Sequence, residues 1–169
     1  MTADAAPSAE EVGRRAERLK ERVYVTFAAL AVVIALRDHL ESPAVATRTL
    51  AITVGGTLLA VLVADLVSHV VVHQELPDRD EFRHMLSVTR SGLLPVVLPL
   101  LYLAMAMAGI WSAGAALRAS TIALVVTLVV IGWAAARRLS LTLVQRLVVL
   151  GAEGVLGVGV VLLELAAHH

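Results

Sequence analysis

Asp65, His69 and His73 recur at every fourth position within the stretch "ADLVSHVVVHQELPDRDEF", residues 64–82. On an α-helix this spacing turns one carboxylate and two imidazoles towards the same face. Such groups ligate Zn²⁺, Mn²⁺ or Fe²⁺, and they also suit stepwise proton transfer, because imidazole titrates near neutrality. Asp65 and His73 are separated by about 12 Å along a helix, so a single ion would use only a neighbouring pair and would need another helix to complete its shell. The bland reading makes His73, and to a lesser degree His69, the wet end of a helix. Asp65 resists that reading, since an acid within a membrane costs about 2.5 to 3.5 kcal/mol on insertion scales.

The surroundings of these residues are apolar. The 169 residues are 59% hydrophobic, and the mean hydropathy of +0.84 is too high for a domain whose surface faces water. A polytopic membrane protein is expected, in the plasma membrane of a bacterium. Fourteen basic residues balance fourteen acidic ones, so net charge gives no reason to expect a nucleic-acid partner. The chain has no cysteine, which excludes disulfides, iron–sulfur clusters, thiolate metal sites and cysteine nucleophiles. Neither G-x-S-x-G nor H-E-x-x-H occurs, leaving hydrolase chemistry without a motif. The glycines of "GAEGVLGVG" follow no strand and precede no Lys-Ser/Thr, so helix packing explains them better than a phosphate loop.

Five segments approach the roughly 20 residues that cross about 30 Å of hydrocarbon as a helix. They are 23–40, 49–73, 91–111, 119–136 and 147–167, preceded by a charged amino-terminal helix within residues 1–22. The expected fold is therefore all-α, a bundle of five transmembrane helices in a single domain. Pro43 and Pro77 place turns in "ESPAVATR" and "LPDRDEF", and Pro95 and Pro99 predict a kink in the third span. Five spans put Arg14, Arg15, Arg18, Lys20, Arg22, Arg79, Arg83, Arg90, Arg137, Arg138 and Arg146 on one side, against Arg37, Arg48 and Arg118 on the other. The positive-inside rule makes the amino terminus cytoplasmic and the carboxyl terminus external, with Tyr24 and Trp133 at the inner interface and Trp111 at the outer one. An "RR" pair, an apolar core and Ala44-Val45-Ala46 loosely resemble a cleaved export signal, but the intervening "RDHLES" is too long and too charged for one.

Depth sorts the polar residues into two clusters. Counted from the cytoplasmic end, Asp65 lies about 10 Å into the hydrocarbon, His69 about half as deep, and Glu153 of the fifth span about 9 Å. Arg90 is close enough to the membrane to reach a carboxylate by snorkelling. The outer cluster comprises Asp38, His39 and Glu41 with Glu164 and His168. Gly56, Ala60, Ala64 and Ser68 form a row of small residues that would allow close helix approach.

These features lead to one expectation with two alternatives. The first is an oligomeric channel or transporter for protons or a divalent metal cation, using Asp65, His69 and Glu153 with His73 and Arg90. The second is a noncatalytic accessory subunit whose acids are satisfied by a membrane-protein partner. The third is a b-type haem protein with His39 and His168 or His169 as axial ligands.

Overall fold

The computed structural model describes residues 9–38, 42–138 and 151. Helix α1 runs Ala9–Asp38, α2 Pro43–His73, α3 Arg79–Ser91, α4 Val97–Met107 and α5 Ala113–Arg138, with a 3-10 turn at Leu94–Val96 between α3 and α4. As expected, the charged amino-terminal segment continues without interruption into the first apolar stretch, and both belong to α1.

Proline placement differs from the expectation in an instructive way. Pro43 does not hold "ESPAVATR" as a turn; it is the first residue of α2. The missing N–H of proline is harmless there, because the first helical N–H groups have no partner within the helix. Ser42 caps the helix, its Oγ accepting from the Val45 N–H at 3.3 Å. Likewise, "LPDRDEF" turns only as far as Asp78, where a helix missed by the sequence reading begins. Asp78 Oδ1 accepts from the N–H groups of Asp80 at 2.9 Å and Glu81 at 2.7 Å. Glu81 Oε2 accepts in return from the Asp78 N–H at 2.8 Å, completing a capping box. The bend expected from Pro95 and Pro99 is a break rather than a kink: α3 ends at Ser91, Pro95 lies in the 3-10 turn, and Pro99 sits in the first turn of α4.

The helices close a ring in which α1 packs against α2 and α5, and α4 packs against the same two helices from the other side. Helix α3 lies across one end, on α1 and α2. The core is a column of residues at helical spacing: Val25, Ala29, Val33 and Leu36 from α1, Ala46, Leu50, Val54 and Leu58 from α2, Leu103 from α4, and Leu117, Leu124 and Leu128 from α5. A hydroxyl within this column is satisfied locally, Ser120 Oγ donating to the Ala116 carbonyl at 2.8 Å.

Three helical stretches have the length and composition to cross a membrane: Pro43–His73, Arg79–Met107, which includes the break at Leu94–Val96, and Ala113–Ala135. Only 17% of the most apolar window of the first stretch is buried inside the bundle. Ile52, Leu59, Val63, Val67 and Val71 lie on its outer face. Such a surface suits lipid and not water. The expected spans at 49–73, 91–111 and 119–136 overlap these three stretches, which begin 6 to 12 residues earlier. Helix α1 is not among them, because charges fill its first half, and the expected fifth span lies outside the described residues. The count of five and the sides taken by the termini therefore rest on the sequence alone.

Candidate functional site

The inward stripes of α1 and α2 are apolar along most of their length and become polar at the same end. One turn back along α1 from buried Val25 stands Glu21, and a further turn back stands Glu17. Two turns along α2 from buried Leu58 stands Asp65, followed by His69 and His73. The two helices run back alongside each other, so their far ends meet and Asp65 comes close enough to bear on Glu21, whose Oε2 is buried and has no hydrogen-bond partner.

Glu21 is only 1% exposed, although its sequence context reads as a solvated helix. Burial, and after it the Asp65 carboxylate, raise the Glu21 pKa to about 7; Lys20 opposes the shift, while Glu17 adds to it. Glu21 thus keeps its proton up to about neutrality, and Asp65 is one of the groups that hold it there. The cation bearing on Glu21 is Lys20, whereas Arg90 lies exposed in the last turn of α3.

The pair borders a cavity of about 250 Å³ whose wall also includes Glu17, Lys20, Ser68, His69, His73, His84 and Met85. The three residues of the original i, i+4, i+8 pattern therefore share one cavity. The His69 and His73 rings lie 4.5 Å apart between centroids, tilted by 35°. Helix α3 completes the wall. Its capping residue Glu81 brings Oε2 within 3.5 Å of His69 Nε2, and His84 Nε2 lies 4.0 Å from Glu17 Oε2. These contacts tie α3 to α2 and α1 respectively. A second cavity, bordered by Arg14, Glu17, His69, Asp80, Glu81 and His84, shares Glu17, His69 and His84 with the first.

The floor of the vestibule is tight. A Cβ placed on Gly92 would meet Leu58 Cδ2 at 2.9 Å and Val25 Cγ2 at 3.2 Å. The break after α3 thus seats directly against the first apolar layer above the carboxyl pair, and glycine is what permits that approach.

Among the described residues, no three His, Asp or Glu side chains are grouped to hold a metal ion. The expected contribution of Glu153 lies outside the described residues, as do His39, Glu41, Glu164, His168 and His169 with the haem reading that used them; Asp38 is the last residue of α1. The small-residue row did not behave as expected within these helices. Gly56, Ala60, Ala64 and Ser68 are exposed, and a Cβ on Gly56 would meet nothing within 4 Å. Sequence reasoning missed Glu17, Lys20, Glu21, Glu81 and His84. Two signals were available: Glu21 is in phase with Val25, Ala29 and Val33, and Asp78-x-x-Glu81 is a capping-box pattern.

No protein-family model, curated protein or solved structure matches the chain.

Proposed function

We propose that this chain is a multi-pass membrane protein that takes up and passes protons through the Glu21–Asp65 pair and the histidines above it. The observation that carries this reading is a nearly inaccessible Glu21 beside Asp65, with His69 and His73 on successive turns of the same cavity wall. A buried carboxyl group that keeps its proton up to about pH 7, beside a second carboxylate and two imidazoles, is a site that can load and release protons without large rearrangement. Protons are preferred over a divalent metal because a metal would need three or more converging ligands, which the described residues do not group.

In the membrane, the proposal places five helices across the bilayer with the amino terminus in the cytoplasm, where eleven of the fourteen basic residues collect. The vestibule then opens to the cytoplasm. Its test is proton flux into liposomes containing the purified protein, followed with an internal pH-sensitive dye. Flux above that of empty liposomes is expected for the parent and background flux for Asp65→Asn and Glu21→Gln; equal background flux in all three removes the transport reading.

The accessory-subunit reading is favoured by one observation, the outward small-residue row on α2, which suits close packing against another membrane helix. It predicts a stoichiometric partner after purification in mild detergent. Recovery of a lone monomeric chain counts against it, and a homo-oligomer would mean that the row pairs copies of this chain.

A further inference from the structure

On the side of α1 turned away from the vestibule, Arg15, Arg18 and Arg22 stand at i, i+3 and i+7 and therefore share a face. Together with Leu19 and with Ala134 of α5 they border a cavity of about 400 Å³. Arg22 is half-buried, and its Nε is inaccessible and has no hydrogen-bond partner. Among the described residues, no carboxylate pairs with any of these three arginines. A guanidinium keeps its proton throughout the physiological range, so it cannot escape its desolvation by becoming neutral. Its donors must instead meet an acceptor from outside the described residues.

We infer that this groove binds a phosphate group, in the form of an anionic lipid headgroup or a free phosphate. Three guanidinium groups bordering one groove can together serve the several oxygens of a phosphate monoester or diester. Leu19 and Ala134 provide an apolar side beside the charged one, suited to the ester region of a lipid. The groove also lies where the charged half of α1 gives way to its apolar half, level with the exposed Trp133 that precedes Ala134. Indole rings favour the headgroup level of a bilayer.

The experiment uses the full chain carrying Trp111→Phe, which leaves Trp133 as its one tryptophan. Quenching of Trp133 is titrated with brominated phosphatidylglycerol and with brominated phosphatidylcholine in mixed micelles. A preference of about tenfold for the anionic lipid is expected, falling to near unity in Arg15→Gln/Arg18→Gln/Arg22→Gln. A charge-matched control, Arg79→Gln/Arg83→Gln/Arg90→Gln, should retain the preference. In a separate arm, inorganic phosphate is compared with chloride at equal ionic strength in zwitterionic micelles. Thermal stabilisation by phosphate that depends on the three arginines, with no lipid preference, assigns the groove to a soluble phosphate. Native mass spectrometry of lipids retained on the unmodified chain and its triple variants provides the same comparison should Trp111→Phe not fold. A preference that survives the triple substitution, one that the control abolishes equally, or the absence of both lipid preference and phosphate stabilisation overturns the assignment.

Discussion

The two sides of α1 handle unpaired charge in opposite ways. On one side Glu21 is buried beside Asp65, and burial and that carboxylate raise its pKa to about 7, so it can shed its charge by keeping a proton. On the other, Arg15, Arg18 and Arg22 meet no carboxylate among the described residues, and a guanidinium has no comparable means of discharge. An acid can answer burial by changing its protonation state, whereas an arginine can answer it only with an acceptor. That difference is why we propose proton chemistry on the acidic side and anion binding on the basic one.

The contrast is broken most severely at the carboxyl pair. Glu21→Gln and Asp65→Asn are each expected to lower proton flux at least tenfold, an effect in the range ascribed to a positioned acid or base. The same substitutions should leave the lipid preference of the arginine groove unchanged, and a parallel loss of both would mean that the two sides are not independent.

Stability should depend on pH with a defined sign. Because the Glu21 pKa is raised in the folded chain from 4.5 to about 7, the folded state holds its proton more tightly than the unfolded one. The stability it contributes is full below pH 4.5 and is lost as pH rises through about 7. Thermal unfolding in detergent across that window should show the decline in the parent, and Glu21→Gln should flatten it. An unchanged slope in the variant would assign the pH dependence to other groups.

Packing at the floor gives the next effect. Gly92→Val forces a branched side chain against Leu58 and Val25, with an expected destabilisation of about 1–3 kcal/mol. Gly92→Ala should cost less, because its nearest contact is the end of the Leu58 side chain, which has some freedom to turn. Equal stability of the valine variant and the parent in chemical denaturation would show that α3 does not seat where the structure has it. Removing the α3 cap by Asp78→Ala should cost about 1 kcal/mol. It should also loosen the Glu81 contact to His69, visible as a shift in the His69 imidazole resonances. The smallest change is expected from Arg83→Gln, because its 3.5 Å contact to Asp80 is an exposed i, i+3 pair worth well under about 1 kcal/mol. A larger loss there would point to a role for α3's outer face.

Much of the helical layout was legible from the apolar runs at 49–73, 91–111 and 119–136, since backbone groups in lipid leave little choice but a helix. The helix starts were less legible, because proline and the Asp78-x-x-Glu81 cap were read for what they interrupt and not for what they initiate. Asp65 stands out in the sequence as an acid inside an apolar run, but depth along the spans points to Glu153 in a later span and not to Glu21. Glu21 was passed over since its neighbours Lys20 and Arg22 make the segment look solvated, and i, i+4 spacing from Glu17 looked like a surface pattern.

The sequence by itself determined that the chain is helical, which stretches are apolar enough to enter a membrane, and that Asp65, His69 and His73 share one helix face. Those properties follow from local composition and the 3.6-residue period, and they need no knowledge of neighbours. Only the tertiary structure decided that Glu21 meets Asp65, that α3 folds over them, and that the arginines of the same helix open onto a separate groove. Partners drawn from different helices depend on how those helices dock and rotate against one another, and that depends on packing across the whole bundle.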